Sequence, residues 1–101
     1  MSKLNEIKVG GFKYKIIYKD DAFVGIDGSS LDGSHCFAEQ AITIAKRGHN
    51  EYQNIVLLHE ICHAIIEVYV SPEKQDEHFV EQFSKGLYQV LKDNPELKEL
   101  V

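Results

Sequence analysis

Apolar positions along this chain change their period near its midpoint. Between residues 7 and 47 they alternate or come in short runs broken by Gly and Asp, the pattern of β structure. Phe12, Tyr14, Ile16 and Tyr18 alternate with Lys13, Lys15, Ile17 and Lys19, which predicts a strand half-buried on one face and ended by Asp20-Asp21. A second short strand is expected at Ala22–Ile26. The run Asp27-Gly28-Ser29-Ser30-Leu31-Asp32-Gly33-Ser34 suits chain reversals. His35–Phe37 and Gln40–Ala45 follow as one or two further strands, with Ile42 and Ile44 on one face and Gly48 closing the segment.

From residue 50 the pattern turns helical. Asn50 and Gln53 have the spacing of a capping box. Ile55 to Val70 is apolar nearly all round, which predicts a helix buried on most sides. Ser71-Pro72 is expected to cap and open a second helix, with Pro at its first position. That helix runs to about Asp93, where Asn94-Pro95 stops it. Its core stripe reads Val80, Phe83, Leu87, Val90 and Leu91. The expected architecture is α+β: a small antiparallel or mixed sheet from the N-terminal half, packed on the first helix and a second C-terminal helix.

Composition narrows the class without adding to the fold. The 101 residues suffice for one domain, expected to span 1–101. A net charge of −5 with scattered Lys and Arg argues against a nucleic-acid surface, which needs clustered basic residues. The opening MSKLNEIKVGGF lacks the apolar stretch of a signal peptide, and no apolar run approaches the roughly 18 residues of a membrane span. Cys36 and Cys62 stand far apart without CxxC spacing, which fits a reducing, cytoplasmic setting.

The chemistry is concentrated at His59-Glu60-Ile61-Cys62-His63, an HExxH motif inside the apolar helix. Residues i and i+4 lie on one helix face a turn apart, so both imidazoles can reach one ion. Zinc accepts neutral imidazole and at catalytic sites takes three protein ligands plus a water. Glu60, beside the first His, can take the proton of that water and so act as the catalytic base. HExxH also recurs by accident. Here, however, its polar members sit among Leu, Ile, Val and Ala, where burial without a shared purpose is costly.

A third ligand must come from elsewhere, and the second helix offers Glu73, Asp76, Glu77, His78 and Glu81. Glu77 and Glu81 are themselves i and i+4. We assign Glu77 to the metal and Glu81 to a hydrogen bond on a ligand His, with the reverse assignment open. His78 points away from the stripe. Glu67 lies two turns from His59; at about 5.4 Å per turn one ion cannot hold both, and it reads as a surface acid. His35-Cys36 is an isolated pair and reads as structural, Cys62 as core packing. Tyr69 and Tyr88 are candidate oxyanion donors with nothing to select either. No Gly-rich phosphate loop or GxSxG elbow is present.

With these residues placed, the chain resembles the small HExxH zinc metallopeptidases of phages, prophages and integrative elements of low-GC Gram-positive bacteria, distant relatives of the ImmA/IrrE family. The stretches that carry the resemblance are Ile55-Val56-Leu57-Leu58-His59-Glu60-Ile61-Cys62-His63-Ala64-Ile65, Glu77-His78-Phe79-Val80-Glu81 and Gly86-Leu87-Tyr88-Gln89-Val90-Leu91-Lys92-Asp93-Asn94-Pro95. The resemblance implies a minimal zincin with an acidic third ligand, acting on a protein or peptide such as a repressor-type regulator. Two alternatives stand beside it: an inert zincin-like binding module, and a zinc hydrolase of a non-peptide amide.

Overall fold

The computed structural model describes residues 4–24 and 30–101. The alternation around Tyr14 becomes β2 (Phe12–Lys19), with Tyr14 and Ile16 buried and every Lys exposed. β1 (Glu6–Val9) folds back on it antiparallel through Gly10, whose φ of 63° lies in the left-handed region that glycine enters without a steric cost. After the short β3 (Phe23–Val24) and β4 (Ser30–Leu31), β5 (Gly33–Cys36) leads into β6 (Ala41–Ala45). β6 lies parallel to β2, in the register Ile16↔Ile42, and antiparallel to β5, in the register His35↔Ile42. The sheet is therefore mixed, in the order β1-β2-β6-β5.

Sequence and structure differ at the edges of this half. The strand expected at Ala22–Ile26 is described only as Phe23–Val24, paired with Ser30–Leu31 as a separate ribbon. Gly25 and Ile26, together with Asp27–Ser29, lie outside the described residues, and Ala22 is not in a strand. Gly33 and Ser34, read as turn, belong instead to β5. Gly33 is small where a small residue is needed, because β5 passes close over the first helix.

That helix, α1 (Asn50–Ile65), lays Leu57 and Ala64 against Tyr14, Ile16, Ile42 and Ile44 to form the core. Each fully buried isoleucine there contributes about 1.5–3 kcal/mol. The capping box does not form. Asn50 is already helical, His49 stands at the cap without a side-chain bond, and Gln53 donates to Gly48 O at 3.2 Å. At its other end the helix widens into a π turn over Ile66–Val70. No helix among the described residues is long and apolar enough to cross a membrane.

The second helix departs from expectation in its start and its facing. Ser71-Pro72 opens only a single turn, Pro72–Lys74. α2 (Glu77–Asp93) has its own cap, Asp76, whose Oδ1 accepts from Phe79 N at 3.0 Å. Val80 and Ser84 are buried, but Phe83, Val90 and Leu91 from the expected core stripe are 54%, 49% and 45% exposed. Val80 and Ser84 pack inward, while Phe83 lines an apolar cavity shared with Cys62, Ile65 and Ile66 that is open to solvent.

The close approach of β5 carries a prediction. A Cβ on Gly33 would stand 2.6 Å from Val56 Cγ1 and 3.1 Å from Glu60 Oε2. Val56 is β-branched and helical, with little rotamer freedom to retreat. Gly33→Ala is expected to lower stability by about 1–3 kcal/mol, the cost of overpacking. Gly11→Ala, with no atom within 4 Å of the added carbon, is the control, and its denaturant midpoint should barely move.

Candidate metal centre

His59 and His63 extend from the same face of α1, and their Nε2 atoms stand 3.2 Å apart. Glu77, the first residue of α2, spans the pair: Oε1 lies 2.6 Å from His59 Nε2 and Oε2 lies 2.9 Å from His63 Nε2. One turn further along α2, Glu81 reaches the other side of the first ring, with Oε2 3.2 Å from His59 Nδ1. Its second oxygen pairs with Lys85 at 2.8 Å, and this cation holds the carboxyl below the usual carboxylate range.

His63 is oriented by a residue that sequence reasoning passed over. Gln75 Oε1 lies 2.7 Å from His63 Nδ1, while Gln75 Nε2 donates to His63 O at 2.8 Å. A continuous helix from Ser71 would have carried Gln75 in its interior. The break between Lys74 and Glu77 leaves it extended and free to reach back. The available signal was the presence of two cap residues, Ser71 and Asp76, where a single helix needs one.

These contacts bear on tautomers as well as positions. Each imidazole meets an acceptor at Nδ1 and the Glu77 carboxylate at Nε2; with a cation between the Nε2 atoms, the ring protons would stand on Nδ1. His59 Nε2, His63 Nε2 and a Glu77 oxygen all lie within 4.8 Å of one another. In a tetrahedral zinc site with zinc–nitrogen distances of about 2.0–2.1 Å, neighbouring donors stand about 3.3 Å apart. The observed nitrogen–nitrogen separation matches that spacing. The two imidazoles, the carboxylate and the supporting acceptors form a donor set that suits zinc.

Glu60 is buried beneath Gly33 and pushed up to about 7, first by burial, with His63 opposing and Glu77 reinforcing the shift. Among the described residues it makes no side-chain hydrogen bond, and its oxygens open onto a cleft. The cleft continues on both sides. One cavity of about 470 Å³ runs past Asp32, Tyr52, Ile55 and Lys85; another of about 570 Å³ runs past Ser34, His35, Glu67 and Gln75. Leu31, Gly33, Glu60 and Glu77 line both.

Other candidates from the sequence separate cleanly. His78 is exposed and Cys62 is buried in the core. Tyr69 and Tyr88 line neither cavity. Glu67 is not a plain surface acid: it is half-buried and lines the second cavity. His35, read as structural, stands on the wall of that same cavity. Comparison of the chain with protein-family models, with curated proteins and with solved structures finds no match.

Proposed function

We propose that this protein is a zinc-dependent metallopeptidase of minimal zincin type, with His59, His63 and Glu77 as metal ligands and Glu60 as general base. The observation that supports this most is the convergence of three donors on one point beside a buried carboxylate that opens onto a cleft. Held by His59, His63 and Glu77, zinc would supply Lewis acidity for a scissile carbonyl and for activation of a water. Glu60 accepts the water's proton as the water oxygen bonds to the carbonyl carbon, and then delivers it to the departing nitrogen as the carbon–nitrogen bond breaks. A carboxyl group poised near neutrality suits both transfers. Glu81 and Gln75 hold the two imidazoles in register throughout.

The substrate in this reading is an extended segment of an intracellular protein. β5 pairs with β6 on one side only among the described residues, and the cleft runs beneath it. Main-chain groups of a peptide can join such an edge as an added strand. A regulator of a phage or mobile element is the target that the family resemblance favours. An inert binding module accounts less well for Glu60. It makes no structural hydrogen bond among the described residues, so a scaffold gains nothing from burying it.

The test is metal content of protein purified without chelator, joined to cleavage of a mixed-sequence peptide library read by mass spectrometry. About one zinc per chain and zinc-dependent cleavage are expected. Zinc without cleavage of any peptide would favour the binding module, and failure to take up zinc would overturn the metal site itself.

A further inference from the structure

His35 belongs to neither the metal triad nor its supports, yet several observations converge on it. In the sheet it pairs with Ile42, and Gly33 pairs with Ile44, so both look from β5 towards α1 and Glu60. The ring lines the 570 Å³ cavity together with Glu60, His63 and Glu77. Tyr14, fully buried on β2, places its hydroxyl 3.0 Å from His35 Nε2, and the two rings stack with centroids 5.4 Å apart.

That hydrogen bond, with burial of the phenol, favours one tautomer. Burial, with the charges of Glu67 and Cys36 adding to it, raises the Tyr14 hydroxyl, which therefore keeps its proton and needs an acceptor. His35 Nε2 is the acceptor within reach, so the neutral ring carries its own proton on Nδ1. Burial and the neighbouring His63 both lower His35, which keeps the ring neutral. Nδ1 has no protein partner among the described residues, and no buried side-chain nitrogen or oxygen among them lacks one. Nδ1 is therefore open to solvent rather than sealed. The result is a donor clamped from behind by a buried phenol and unused by the protein.

We propose that His35 is a catalytic hydrogen-bond donor of this cleft, its Nδ1–H stabilising the negative charge that grows on the substrate carbonyl oxygen, with Tyr14 as its positioning residue. The role rests on the hydrolytic reading above. A donor fixed on the cleft wall before the reaction needs little reorganisation during it, and removing one such donor typically lowers kcat by about 10²–10³-fold. Tyr69 and Tyr88 stand off the cleft; of the N–H donors on its walls, Lys85 is paired with Glu81 and Gln75 with His63 O, whereas His35 Nδ1 has no partner among the described residues.

Two measurements test this. Long-range proton–nitrogen spectra of the zinc-loaded protein at neutral pH should show His35 protonated at Nδ1 alone, with Tyr14→Phe releasing it to a mixture of tautomers. A proton on Nε2 in the wild type would overturn the proposal. In the peptide-library assay, His35→Ala should lose about 10²–10³-fold in kcat with KM and zinc affinity little changed, and His35→Gln should recover part of the loss through its amide N–H. Unchanged kcat in His35→Ala, or a parallel loss of zinc, would overturn the donor role while leaving the peptidase reading intact. No cleavage by the wild type would remove both.

Discussion

Glu60→Gln is expected to lower turnover by about 10²–10⁴-fold, the usual contribution of a general acid–base group, while zinc binding stays within a few-fold of wild type. The amide has the same shape as the carboxyl and fits the same space under Gly33. It cannot take a proton from water or return one to a leaving nitrogen. It also carries no charge, and this gives a second, opposite readout. Burial lifts Glu60 from 4.5 to about 7, so its charged form opposes folding. In chelator-treated protein the group contributes stability below its ordinary value, and that contribution is lost as pH rises through about 7. Thermal melts of metal-free wild type should therefore fall between pH 5 and 8 more steeply than those of Glu60→Gln. A variant that loses both activity and zinc would overturn the assigned role and make Glu60 a support of the metal.

The second large effect separates the two acids of α2. Glu77→Ala removes the carboxylate that faces both Nε2 atoms and should abolish tight zinc binding. Glu81→Ala removes an acceptor behind His59 and should weaken zinc by about 10–100-fold, the usual cost of losing such a support. At saturating zinc each tenfold loss of affinity removes about 1.4 kcal/mol from the folded state. Calorimetric melts with and without zinc thus rank the two variants independently of any activity. The reverse ranking would exchange their roles. The same melts on Gln75→Ala bear on its clamp of His63, where a loss similar to that of Glu81→Ala is expected.

Much of this arrangement was legible in the chain itself. The alternation of Phe12, Tyr14, Ile16 and Tyr18 with lysines specifies a half-buried strand, because successive side chains of a strand point to opposite faces. His59 and His63 must share a helix face, since residues four apart are neighbours on any α-helix. Both statements are local and hold whatever the rest of the chain does.

What local periodicity misses is the placement of one element against another. The core stripe drawn on α2 assumed that its apolar side faces inward. Instead Val80 and Ser84 are buried, and Phe83 stands at an open apolar cavity beside Cys62 and Ile65 with 54% of its surface exposed. A hydrophobic pattern says which residues a helix can bury, but its rotation is a joint property of both partners.

The sequence alone therefore determined the order of a β half before a helical half, the α+β class and the paired histidines, all consequences of repeat geometry along a single segment. Only the tertiary structure decided which acid of α2 spans the two imidazoles, because that depends on how far α2 is shifted along α1. It also decided that Gln75 clamps His63 and that His35 leans on Tyr14 at the cleft. Those partners lie 12 and 21 positions apart in the chain. No period links such residues, and only the packed strands and helices bring them within hydrogen-bond reach.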